Sequence, residues 1–128
     1  MRVIQGDDLA RLSEVQLRQL LKFRHRLVFA RMTPEQKLRL VKAYRSLGEV
    51  VGVTGDGVND GPALRAADVG IAMGRSGTDV AREASDVVLL DDNFATIATA
   101  VRHGRGVVAN IQRFITYVIA SNVAEMMP

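Results

Sequence analysis

Eight consecutive residues, Thr54-Gly55-Asp56-Gly57-Val58-Asn59-Asp60-Gly61, gather the side chains best suited to chemistry. Glycines let a main chain approach a ligand closely, and Thr54 offers a hydroxyl donor. The two carboxylates would repel a bare phosphate, so a simple phosphate cradle does not account for Asp56 and Asp60. A Mg²⁺ ion bridging carboxylate and phosphate does, because it neutralises both. Other loops fail on spacing. A Walker A loop needs G-x-x-x-x-G-K-S/T, which is absent. The dinucleotide fingerprint needs glycine where Asp60 stands, and a calcium loop begun at Asp56 needs oxygen ligands at Val58 and Ala67. A purely structural alternative is an Asx-rich turn with Asp60 capping the next helix. It accounts for Asp60 and leaves Asp56 unexplained. Lys37 is a second candidate, in the first turn of a helix that follows a strand. That position suits a phosphate contact as well as a solvated lysine, and spacing alone does not choose.

Much other chemistry is excluded. There is no cysteine, hence no disulfide framework, thiolate metal site or cysteine nucleophile. His25 and His103 stand too far apart in sequence to suggest a histidine metal site. Residues 22–45 hold eight Lys/Arg against the single acid Glu35, whereas the remainder carries nine against thirteen Asp/Glu. The charges of the basic stretch run around a helix, so a solvated face is expected and no nucleic acid. Met1–Ile4 leads straight into Gln5-Gly6-Asp7-Asp8, so no secretory leader is expected.

The elements that must position the loop alternate strand and helix. Ser13-Glu14-Val15-Gln16 and Thr33-Pro34-Glu35-Gln36 have the form of capping boxes, the second with proline at the first helical position. The second helix aligns Leu40, Val41, Tyr44 and Leu47, and Gly48 stops it. Strands are expected at Leu27–Ala30, at a buried run containing Val50, Val51 and Val53, at Val69–Met73 and at Val87–Leu90. Short helices are expected near Pro62–Ala67 and Thr78–Ala84. Apolar strands separated by helices predict an α/β fold, a Rossmann half-domain with a parallel sheet covered on both faces. The 54–61 loop then lies at the carboxyl end of a strand, where open parallel sheets bind ligands.

Thr54-Gly55-Asp56-Gly57-Val58-Asn59-Asp60-Gly61-Pro62-Ala63-Leu64 closely resembles the hinge motif T-G-D-G-x-N-D-x-P-A-L of P-type ATPases. Phe29-Ala30-Arg31-Met32-Thr33-Pro34-Glu35-Gln36-Lys37 is similar to the family's F-A-R-x-x-P-x-x-K segment. Val69–Gly74 and Asp91-Asp92-Asn93-Phe94 match two further stretches in the right order. The resemblance implies a haloacid-dehalogenase-like domain that phosphorylates an aspartate from ATP, then hydrolyses it, coupled to cation transport. By matching position, Asp56 is implied as the Mg²⁺ ligand and Lys37 as the contact to the aspartyl phosphate. Thr54, Gly55, Asn59 and Asp60 are implied to shape the site. The family's phosphorylated aspartate lies in D-K-T-G-T, which is absent, as are the nucleotide-binding domain and the actuator loop. The chain alone is therefore expected to be inactive, with the remainder of an ATPase as its partner. D-K-T-G-T is expected upstream of Met1, and further apolar spans after Pro128.

Towards the end of the chain, Phe94, Ile97, Val101, Gly104, Val108, Ile111, Ile115 and Val118 recur at steps of three and four, one continuous helical stripe. From Phe114 to Met127 the residues are largely apolar, which reads as the truncated start of a membrane helix. Arg102, Arg105 and Arg113 suit a cytoplasmic flank. Asn122 and Glu125 continue the stripe, and a glutamate in a membrane span is by default a functional group. Ser121-Asn122-Val123-Ala124-Glu125 resembles the fifth membrane helix of calcium and sodium/potassium pumps, implying Asn122 and Glu125 as ligands of a hard transported cation. The expected organisation is a phosphorylation domain over residues 1–110 on the cytoplasmic side, then stalk and membrane helix over 111–128. The alternatives are a Mg²⁺-dependent phosphatase of the haloacid-dehalogenase type and a non-catalytic remnant.

Overall fold

The computed structural model describes residues 1–22 and 26–126, with side chains to Asn122. Strand β1 (Arg2–Gln5) leads into two short helices, α1 (Gly6–Ala10) and α2 (Glu14–Lys22), then strand β2 (Leu27–Ala30) and helix α3 (Pro34–Ser46). Strand β3 (Gly52–Gly55) is followed by a 3₁₀ turn at Val58–Asp60 and helix α4 (Gly61–Ala66). Strand β4 (Val69–Met73), helix α5 (Asp79–Glu83), strand β5 (Val87–Leu89) and helix α6 (Phe94–Met126) complete the order.

Local rules explain the helix ends. Ser13 and Gln16 exchange bonds at α2, with Ser13 N donating to Gln16 Oε1 at 2.9 Å and Gln16 N to Ser13 Oγ at 3.2 Å. Thr33 and Gln36 do the same at α3, at 3.0 and 3.3 Å. Two orphan amides of each helix are thereby satisfied. Helix α3 closes on Gly48, whose φ is 81°. Gly48 N bonds to Arg45 O and Glu49 N to Tyr44 O, the paired bonds of a Schellman ending.

Every observed strand pairing is parallel, in agreement with the expected α/β class, but the strands form two ladders. β1 pairs with β2, with Ile4 opposite Phe29, and β3-β4-β5 form a three-stranded sheet, with Thr54 opposite Ile71 and Ala72 opposite Val88. Among the described residues neither β2 nor β3 has a partner on its second edge. The run expected to be buried from Val50 is corrected: Val50 is 84% exposed and the strand begins at Gly52. With no strand on its outer side, β3 alternates between exposed and half-buried positions. β1 and α1 are additions that the sequence pattern does not predict.

The residues between Met1 and Asp92 make one compact unit. One core cluster joins Leu9, Leu17, Leu21, Leu40 and Ala43, so that α1 and α2 pack on α3. The other, Leu64, Ala72, Ala81 and Ala84, is built mainly of small side chains that seat α4 and α5 close against β4. A second unit begins at Asn93 and is helix α6, which runs uninterrupted through residues 110 and 111. Phe94, Val101, Val108, Ile111 and Ile115 of the expected stripe are exposed on it. No helix among the described residues is long and apolar enough to cross a membrane. Arg113 interrupts the apolar sequence, and the stretch from Phe114 to Met126 is shorter than the roughly 20 residues a span needs.

Candidate functional site

The loop leaves β3 at its carboxyl end, as the sequence predicts, but two residues later than expected: Thr54 and Gly55 are the last residues of the strand, paired with Ile71 and Ala72, and Gly61 already opens α4. Gly55 is required there by contact, because a Cβ at this position would stand 2.5 Å from Asp60 Cβ. Its role is to admit the Asp60 side chain rather than a ligand. Asp60 N donates to Gly57 O at 3.2 Å, forming the 3₁₀ turn. The Asp60 carboxylate folds back over that turn and accepts from Gly57 N at 3.3 Å. It makes no capping bond to α4, so the simple helix-cap explanation of Asp60 is set aside.

The same carboxylate meets Lys37, whose Nζ lies 2.8 Å from Asp60 Oδ1. Sequence spacing leaves Lys37 undecided; the structure brings it to the loop. Its position follows from the α3 capping box. Gln36 accepts from Thr33 N and donates through Nε2 to Gly6 O at 2.9 Å, so the first turn of α3 is tied to α1, and Lys37 is the next residue. Partial burial alone would raise the Asp60 pKa. The hydrogen bond and charge of Lys37, with the Gly57 and Asp56 amides, outweigh that and hold it below the ordinary carboxylate value. Asp60 is thus an ionised, engaged group with only 13% of its side chain exposed.

Asp56 differs. It is exposed and its side chain makes no hydrogen bond or ion pair among the described residues, whereas its carbonyl accepts from Thr78 N at 2.8 Å. The side chains of Thr54 and Asn59 are likewise exposed and unpaired among the described residues. A fixed main chain under a free carboxylate suits a hard cation. Among the described residues no three acidic or histidine side chains converge, so the protein builds no closed cage there. Mg²⁺ needs none, since it is commonly held by one or two carboxylates, water and substrate phosphate. The donor chemistry therefore fits Mg²⁺ with Asp56 as the protein ligand.

Other expected site residues fall elsewhere. Asn122 is exposed on α6, and the Glu125 side chain lies outside the described residues. A groove of about 560 Å³ lined by Arg2, Val3, Asp8, Arg11 and Gln16 includes no residue of the loop. Sequence reasoning misses a set of aspartate clamps. Asp68 Oδ2 accepts from Val51 N at 2.9 Å and Asp86 Oδ2 from Gly70 N at 2.8 Å. Asp92 accepts from Arg75 N and Ser76 N. The available signal is an aspartate directly before β4 and β5, and another just beyond β5.

No family model matches the chain. Over 126 residues, 98% of its length, it is 50% identical to a calcium-transporting ATPase of Bacillus subtilis and 51% identical to calcium-transporting ATPase 1 of Saccharomyces cerevisiae. Over the same share it is 50% identical to the sodium/potassium-transporting ATPase subunit alpha-3 of Oreochromis mossambicus. The chain spans 14%, 13% and 12% of these proteins' own lengths. Among solved structures, a zinc-transporting PIB-type ATPase superposes with a TM-score of 0.62 at 37% identity, covering 70% of this chain and 14% of that one. The catalytic domain of a CPx-ATPase gives a TM-score of 0.55 at 30% identity, covering 77% and 38%.

Proposed function

The chain belongs to the P-type ATPases, and from that premise we propose that it supplies the Mg²⁺- and phosphate-facing loop of the aspartyl-phosphate site in a larger cation pump. The observation that carries the proposal is the Lys37–Asp60 contact, which joins two motifs 23 residues apart beside a free Asp56 carboxylate. Lys37 contributes a cation able to move between Asp60 and a phosphate oxygen as a charge-assisted hydrogen bond. Asp60 holds that cation in place and orders the turn, and Asp56 provides the oxygen ligand. When bound, Mg²⁺ would neutralise charge on the phosphoryl group. Thr54, Gly55 and Asn59 shape the rim. The nucleophilic aspartate of a D-K-T-G-T segment and the ATP-binding domain come from the rest of the protein. The open edges of β2 and β3 support this reading, since further parallel strands can pair there.

Within this proposal residues 1–110 stand on the cytoplasmic side, and residues 111–128 are stalk and the start of a membrane helix carrying Asn122 and Glu125 towards the transported ion. Identities of 50% and 51% to calcium-transporting relatives and 50% to a sodium/potassium-transporting one, against 37% to the zinc-transporting structure, support a hard cation, Ca²⁺ among them. Oxygen donors of the Asn122 and Glu125 type are the ligands such cations take.

Phosphorylation of the full-length protein, measured from ATP with cation and from inorganic phosphate without it, tests both ends. Asp56→Asn is expected to abolish both reactions. Glu125→Gln, which removes charge at constant volume, is expected to raise the cation concentration needed for the first and to spare the second, with Asn122→Ala a milder version. Full phosphorylation in Asp56→Asn at normal expression would refute the site assignment. An unchanged cation requirement in Glu125→Gln would refute the calcium-like reading.

A further inference from the structure

Besides Asp60, three aspartates bind main-chain amides at the ends of the β3-β4-β5 sheet, and one differs from the other two. Asp68 and Asp86 precede β4 and β5, at the amino ends of the strands, and each takes one main-chain amide from the neighbouring segment. Asp92 follows β5, at the carboxyl end, on the same side of the sheet as the 54–61 loop. It takes two consecutive amides, Arg75 N at 2.9 Å on Oδ1 and Ser76 N at 2.7 Å on Oδ2. Its backbone is left-handed, with φ at 50°. Non-glycine residues adopt that conformation at a cost, and aspartate tolerates it better than most.

The segment so held runs from Gly74 to Thr78. Gly74 N donates to Leu89 O at 2.9 Å, and the Arg82 guanidinium donates to Gly74 O at 3.0 Å and Gly77 O at 2.5 Å. Thr78 ends it, capping α5 through Oγ1 and donating its own N–H to the Asp56 carbonyl at 2.8 Å. Asp56 is therefore fixed from below by Thr78, and Thr78 by a segment that Asp92 and Arg82 hold from either side. We propose that Asp92 is a positioning residue for the Asp56 carboxylate, acting through the Gly74–Thr78 segment. This rests on the reading of Asp56 as the Mg²⁺ ligand. The carboxylate of Asp92 touches neither the ligand nor the reacting atoms; it sets how firmly the main chain beneath Asp56 is held.

The test compares Asp92→Gly with Asp86→Ala in the full-length protein. Glycine keeps the left-handed backbone while removing the clamp, and Asp86→Ala removes a comparable clamp at the opposite end of the sheet. Two readouts are taken: amide exchange at Thr78 in the metal-free protein, and the Mg²⁺ concentration giving half-maximal phosphorylation from inorganic phosphate. Asp92→Gly is expected to speed Thr78 exchange and raise the Mg²⁺ requirement, each by about tenfold, the equivalent of one charge-assisted hydrogen bond. Asp86→Ala is expected to lower thermal stability and leave both readouts near wild type. Asp92→Asn, which keeps the backbone preference and one acceptor oxygen, is expected to fall between and covers the case that the glycine variant does not fold. If the Asp92 variants change neither readout, or change them no more than Asp86→Ala does, the clamp is only structural and the inference is overturned. If Asp56→Asn itself leaves the Mg²⁺ requirement unchanged, the metal reading falls, and Thr78 exchange still decides whether Asp92 steadies the loop.

Discussion

Asp60 holds three donors, Lys37 Nζ and the Gly57 and Asp56 amides, and its pH behaviour follows from them. A carboxyl whose pKa is lowered by folding adds stability above its unfolded value and loses that contribution as pH falls through its folded value. Lys37→Met removes the leading cause of the depression, so partial burial should then drive the Asp60 pKa upward. Carbon-detected titration of the Asp60 carboxyl is the direct check. The stability cost at neutral pH should be roughly 0.5–1 kcal/mol, because a pair with one half-exposed partner is strongly screened, and it should shrink in acid. A Lys37→Met protein in which Asp60 still titrates as in wild type would show that the two groups do not meet in solution. Asp92 obeys the same sign. The Arg75 amide foremost, then the Ser76 amide, outweigh desolvation and lower its pKa from 3.8 to about 2. Its clamp should therefore persist until the pH drops through that window.

Helix α6 continues through Gly104 and Gly106, and a Cβ added at either would meet nothing within 4 Å. No local contact therefore requires glycine there. Gly104→Ala and Gly106→Ala should each stabilise the helix by about 0.5–1 kcal/mol, since glycine loses more chain entropy than alanine. Thermal melting followed by far-ultraviolet circular dichroism measures this, and a fall in melting temperature would mean that the glycines answer to a packing partner. The elements show what sequence can carry. The caps at Ser13 and Thr33 and the stop at Gly48 are legible because their bonds close locally, within a turn or so of chain. β1 is not, because its partner strand is distant in sequence, Arg2 standing opposite Leu27, and Ile4 alone of its residues is buried. The loop from Thr54 to Gly61 is legible by its unusual composition, and Lys37 only through resemblance, because a lysine in a helix first turn has several uses. The Asp92 clamp joins residues well separated along the chain, with no periodicity to betray it.

At the scale of the molecule, the proposed function divides between what this chain contains and what the rest of a larger pump would supply. The chain holds the loop, the lysine and the clamps, while spanning 14% or less of the relatives compared. The two separate ladders carry a further consequence. Among the described residues each outer strand lacks a partner strand along one edge, and β2 and β3 contain no proline to blunt it. Produced as these 128 residues, the protein offers templates for another copy to add a strand. It should self-associate with rising concentration, and sedimentation velocity should show its mean mass climbing where a capped domain would stay monomeric. A lysine placed at Val53, half-buried on β3, would unfold as much as it protects. Lysine at the exposed Val28 of β2 is the cleaner substitution and should reduce the association. In the proposed larger pump, strands added at these edges would then also act as a solubility device, shielding edges that are sticky for as long as they wait.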